Sequence, residues 1–176
     1  KAKEEITFSS SGTTGSQTSK HYVSNLSVYE KSFRKGFEHF YENIEDYAVL
    51  ALLPSYLERE GSSLIYMAND LIKRSKNPNS GFYLNNFSEL KKQLIALDAA
   101  GQKVLLIGVS FALLDLVEMH RFNLKNTIVM ETGGMKGRRK EMIRTELHEL
   151  LKTGFGVEKI HSEYGMTELL SQAYSP

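Results

Sequence analysis

Lys103-Val104-Leu105-Leu106-Ile107-Gly108 decides how this chain reads. A short apolar run with no polar alternation does not suit a sheet with one wet face. It reads as a strand buried on both sides, as in a parallel sheet covered by helices. Val49-Leu50-Ala51-Leu52-Leu53 repeats the pattern.

Outward from these two, extended segments are predicted at Ile6 to Phe8, Tyr47 to Leu53, Lys103 to Gly108, Thr127 to Thr132 and Lys159 to His161. Amphipathic segments fall between them: Val28 to Asn43, Ser63 to Arg74, Phe87 to Ala100, Phe111 to His120 and Arg138 to Lys152. Leu90, Leu94 and Leu97 recur at helical spacing, as do Ile143, Leu147 and Leu151. Ser88 and Glu89 open one helix and Gly101 closes it, while Asn77-Pro78-Asn79-Ser80-Gly81 is a turn. This alternation predicts an α/β fold, a mainly parallel sheet flanked by helices, in a single domain over residues 1–176.

Composition narrows the function classes. With 22 basic and 21 acidic side chains the formal charge is +1, which disfavours nucleic acid as a partner. The densest basic cluster, Lys136-Gly137-Arg138-Arg139-Lys140, reads as a solvated helix start. There is no cysteine, so no disulfide framework, thiolate metal site or thioester can be built from this chain. No apolar run approaches the roughly 18 residues of a membrane span, and a soluble, cytoplasmic protein is expected.

Ser9-Ser10-Ser11-Gly12-Thr13-Thr14-Gly15 follows the first predicted strand. Glycines let successive N–H groups turn toward an anion and hydroxyls add donors, so the stretch has the composition of a phosphate cradle, with Lys20 as a point charge. A flexible linker has the same composition. The stretch lacks the Gly-Lys-Ser/Thr ending of a Walker loop, which disfavours a kinase. Two further motifs, Glu131-Thr132-Gly133-Gly134-Met135-Lys136-Gly137 and Glu163-Tyr164-Gly165-Met166-Thr167-Glu168, follow later strands. All three are expected at carboxyl ends of parallel strands, where open sheets bind ligands.

In this order and rough spacing the motifs resemble the adenylate-forming superfamily. Leu52-Leu53-Pro54-Ser55-Tyr56-Leu57-Glu58-Arg59-Glu60-Gly61-Ser62-Ser63-Leu64, Gly108-Val109-Ser110-Phe111 and Glu131-Thr132-Gly133-Gly134 narrow the likeness to LuxE-type acyl-protein synthetases and phenylacetate-CoA ligases. The resemblance implies ATP and magnesium as cofactors. It also implies that a carboxylic acid, expected to be fatty, is activated as an acyl-adenylate and passed to a thiol of coenzyme A or of an acceptor protein.

By that resemblance Ser11, Gly12, Thr13, Thr14 and Gly15 hold the β- and γ-phosphates with Lys20 assisting. Gly133, Gly134 and Met135 lie along the adenine, and Tyr164, followed by Gly165, stacks on it. The two catalytic residues are Thr167, which donates to the α-phosphate, and Glu168, which holds the metal. The chain departs from the family pattern at Ser55-Tyr56-Leu57, where many members carry a histidine, and at Lys20, which comes later than the family lysine.

The resemblance further implies an N-terminal segment and a C-terminal lobe beyond this chain. A piece of this kind is expected to bind ATP weakly and not to complete acyl transfer alone. Its exposed sheet edges would favour a homodimer. The alternative is a non-catalytic nucleotide-binding or assembly module of the same fold. Outside the motifs, His161 reads either as an acyl-pocket residue or as a core histidine. Ser110 lacks a hydrolase elbow, and Phe33, Phe37, Phe40 and Tyr41 read as core.

Overall fold

The structure, a computed structural model, describes residues 4–9, 19–54, 61–135 and 137–176. Strand β1 (Ile6–Ser9) pairs antiparallel with β2 (Lys20–Val23), with Ser9 opposite Lys20, as a separate two-stranded ribbon. Helix α1 (Leu26–Tyr41) follows, then β3 (Tyr47–Leu52), α2 (Ser63–Ser75), β4 (Gly81–Tyr83), α3 (Phe87–Ala99), β5 (Lys103–Val109), α4 (Ser110–Met119), β6 (Thr127–Thr132), α5 (Arg144–Phe155), β7 (His161–Met166) and β8 (Ser171–Ser175).

Six strands form the main sheet in the order β4-β3-β5-β6-β7-β8, the first five parallel and β8 antiparallel at the edge. The crossover from β3 runs outward to β4, and the next returns past β3 to β5. Right-handed crossovers therefore put α2 on one face and α3, α4 and α5 on the other. The two opening runs behave as their composition demands: every residue of β3 is buried, and so is every residue of β5 after Lys103.

On the first face an aromatic layer joins ribbon, α1 and α2. Phe8 meets Tyr29 edge-on at 5.3 Å between ring centroids and Tyr66 at 5.8 Å, and Tyr29 meets Phe33 at 5.1 Å. Such pairs add about 0.5–1.5 kcal/mol each beyond the area they bury. Arg34 on α1 grips Asp70 on α2 through two hydrogen bonds of 2.9 and 2.6 Å. On the other face α4 and α5 approach so closely that a Cβ at Gly154 would lie 2.4 Å from the Cβ of Val117.

Several expectations are corrected. The first strand does not join the main sheet, because its partner is the unforeseen β2, on which Lys20 lies. Strand β7 starts at His161 and runs through Met166, so Tyr164 and Gly165 lie within a strand instead of after one. Helix α5 begins only at Arg144, and the basic cluster before it is no solvated helix start. Arg139 binds Asp115 and reaches Glu118 at 2.7 Å, while Arg138 lies 5.0 Å over the Phe111 ring. Strands β4 and β8 were unforeseen. Phe40, read as core, is exposed, and so is Ile143, which lies just before α5 instead of within it.

Candidate functional site

The last rung between β6 and β7 is Thr132 opposite Glu163. Gly133 and Tyr164 each come directly after that rung, so two of the three motifs leave neighbouring strands at the carboxyl edge of the sheet. Gly133 has φ of 72°, a conformation that suits glycine, and turns the chain out of β6. Among the described residues a Cβ at Gly134 would meet nothing within 4 Å, so that backbone is open on their side. Met135 is buried and anchors the loop.

Alternation along β7 sorts its side chains between the faces. His161 and Glu163 point toward α1 and α2. The His161 Nδ1 lies 3.2 Å from the Tyr41 hydroxyl, and burial pushes the ring down to about 4. This is a core histidine, neutral at physiological pH. Ser162 and Tyr164 point to the opposite face, and the Tyr164 ring is 64% exposed. Gly165 has a packing reason to lack a side chain: a Cβ there would sit 2.7 Å from Gln172 Oε1 and 3.1 Å from Glu163 Oε1.

Beyond β7, Thr167–Leu169 form a single 3-10 turn, and Leu170, at φ 47°, reverses the chain into β8. Thr167 and Glu168 therefore sit at a hairpin tip. The Thr167 hydroxyl is 2.8 Å from the Ser63 hydroxyl at the start of α2, and the Ser63 carbonyl accepts from the Tyr29 hydroxyl at 3.0 Å. Glu168 lies 3.5 Å from Nε2 of His21 on β2. Ser9 N–H donates to the Gly61 carbonyl at 2.8 Å. These contacts seat the ribbon, and with it both ends of the segment holding the first motif, beside Glu168.

Residues Ser11 to Gly15 themselves, with Ser55-Tyr56-Leu57 and Lys136, lie outside the described residues. Lys20 is exposed and, one residue before His21, points to the opposite face of the ribbon from the side chain that meets Glu168.

Two buried carboxylates lie under the site, one on each face of neighbouring rungs. Glu131 accepts from Ser110 Oγ at 3.0 Å and Ser162 Oγ at 2.6 Å, and Nε2 of His148 is 3.6 Å away. Ser162 also lies 3.5 Å from that same Nε2. A nucleophile relay needs its hydroxyl and its carboxylate on different ring nitrogens, so this cluster is no Ser-His-Glu triad. Glu163 accepts from Thr132 Oγ1 and, at 2.6 Å, from Gln172 Nε2. Burial pushes its carboxyl up to about 7.

Sequence reading missed Glu131 and Glu163 as site residues, although a carboxylate closing the apolar Ile128-Val129-Met130 run was a visible signal. His21, Ser63 and His148 carried none, because only the folded chain brings them near.

Among the described residues no cluster of three or more His, Cys, Asp or Glu can hold a metal by itself. A lone accessible carboxylate at Glu168 suits magnesium, which keeps waters and takes its other ligands from phosphate. Open glycine backbone, an exposed aromatic face, hydroxyl donors and one carboxylate together suit a planar heterocycle carrying a polyanion. No protein-family model matches the chain, and a search of curated proteins finds no similar sequence. The likeness therefore rests on short motifs and their placement.

Proposed function

We propose that this chain is the nucleotide-binding portion of an ATP-dependent, acid-activating ligase that makes an acyl-adenylate for transfer to a thiol. What supports the reading is the adjacency of Gly133 and Tyr164 past the last β6–β7 rung, with Thr167, Glu168 and the ribbon base around the same edge.

A carboxylate is a poor acyl donor, because its charge repels nucleophiles and oxide does not leave. Attack of its oxygen on the α-phosphorus forms a C–O–P link while the bond to pyrophosphate breaks, and the adenylate then leaves readily. Positioning and charge neutralisation suffice for this step, so no side-chain nucleophile is needed.

Tyr164 stacks on the adenine, whose other side meets the open Gly133-Gly134 backbone. Thr167, oriented by Ser63, donates to α-phosphate oxygens. Glu168 gives magnesium one oxygen, for which it leaves His21. Ser11 to Gly15 would give the outer phosphates their hydroxyl and N–H donors, and Lys20, turned away from Glu168, is assigned no contact with them. The thiol comes from outside the chain, from coenzyme A or an acceptor protein, since the chain has no cysteine.

Isothermal titration with magnesium-ATP tests the site. The parent binds, and Glu168→Ala weakens binding of magnesium-ATP but not of ATP in chelator. Absence of heat with the parent, or equal loss with and without magnesium, defeats the assignment. Acid-dependent pyrophosphate exchange by the enzyme, across fatty and aryl acids, tests the reaction.

A further inference from the structure

Glu163 is 4% exposed, directly beneath Tyr164, and the proposed function leaves it without a role. Its oxygens accept from Thr132 and Gln172, and among the described residues no lysine, arginine or histidine pairs with it. The ionisable groups around it offer no positive charge either. They are Glu131 on β6, Tyr174 on β8, Tyr29 on α1 and, two residues back on the same face of β7, His161, which burial keeps neutral, with Met67 the neighbour from α2. Gln172 Oε1, buried in the same cluster, has no hydrogen-bond partner among the described residues. Acceptor oxygens therefore outnumber donors around this carboxyl, an imbalance that one added proton relieves. Burial holds the group near half-protonation at neutral pH, where a small change of local field alters its occupancy most.

We propose that Glu163 takes up a proton from solvent when nucleotide binds, so that the site receives the phosphates with one negative charge removed from beneath them. The inference rests on the nucleotide reading of the site. Phosphate anions settling at Thr167, four residues along the same hairpin, disfavour the carboxylate and favour the neutral acid. No covalent bond changes; one proton moves from buffer to Glu163. Glu163 is a positioning residue here: Thr132 and Gln172 tie it to β6 and β8, and its charge state tunes how well their common edge tolerates an anion.

The test titrates magnesium-ATP into the chain at pH 7.5 in two buffers of different ionisation enthalpy. The expected result is an uptake of about half a proton per nucleotide in the parent and none in Glu163→Gln. A second readout needs no variant: the infrared difference spectrum of the parent gains a protonated-carboxyl band on adding nucleotide. Binding heat that does not depend on buffer, equal uptake in a natively melting Glu163→Gln, or no carboxyl band overturns the inference while leaving the nucleotide site standing. No heat in either buffer removes the nucleotide reading, and this inference with it.

Discussion

Replacing Tyr164 by threonine separates a binding role from a packing role. The ring is 64% exposed, so only about a third of the 150–250 Å² that an aromatic side chain can bury is at stake. At roughly 25 cal/mol/Å² that is at most about 2 kcal/mol, and threonine keeps part of it along with a strand-favouring branched side chain. The expected stability loss is about 1 kcal/mol, a fall in Tm of about 2–4 °C for a domain of this size. Loss of base stacking costs about 1–3 kcal/mol, or about 5- to 150-fold in Kd. Tyr164→Phe keeps the ring and should bind within about twofold of the parent. Titration calorimetry with magnesium-ATP, beside thermal melts without ligand, reads both quantities. A threonine variant that binds like the parent, or a phenylalanine variant that fails as badly as threonine, refutes stacking.

Gly154→Ala should destabilise by about 1–3 kcal/mol in urea titration, because the new methyl lands 2.4 Å from the branch point of Val117, outweighing the helix propensity gained. Asp98→Ala should cost about 2–4 kcal/mol, since its buried carboxylate accepts from Asn126 N at 2.7 Å, Lys125 N at 3.0 Å and the Thr127 hydroxyl at 2.8 Å at the entry to β6. Glu163 has a pH signature of its own: with its carboxyl raised from 4.5 to about 7 in the folded chain, its contribution is fully present below pH 4.5 and lost as pH rises through 7. Glu163→Gln lacks that loss, so its stability relative to the parent should climb by at most about 3 kcal/mol across this window. A flat difference in urea titrations at a series of pH values would rule out the raised carboxyl.

The parallel sheet was legible because burial on both faces leaves a mark no other arrangement leaves: β3 and β5 contain no alternation to misread. Helices α2, α3 and α4 lay within a residue or so of expectation, and for α3 spacing and end signals agreed. Strand β8 was not legible. Ser171-Gln172-Ala173-Tyr174-Ser175 alternates weakly because it is an edge strand that buries little, and Tyr174, packed 5.5 Å from Tyr41, helps hold it to α1. Strand β2 was masked by its neighbour: Lys20 reads as the end of a polar loop, and its pairing with Ser9 is what makes it a strand. The delayed start of α5 has an energetic cause, since Arg138 and Arg139 are engaged by Phe111, Asp115 and Glu118 of α4. Those tertiary contacts outweigh local helix propensity.

Register explains why the site's chemistry divides as it does. Glu131 and Glu163 stand one rung apart on adjacent strands, and because side chains alternate, one enters the α5 face and the other the α1–α2 face. Each carboxylate is thereby met by hydroxyl or amide donors of its own layer, Ser110 and Ser162 for the first, Thr132 and Gln172 for the second. The backbone between them is left to carry Gly133 and Tyr164 to the rim. A slip of one residue in β7, with β6 held in place by β5, would turn Glu163 to the wrong layer and move Tyr164 inward. The same rung that buries the two acids therefore puts the exposed ring beside open glycine backbone, and the placement of the candidate site follows from the pairing of β6 with β7.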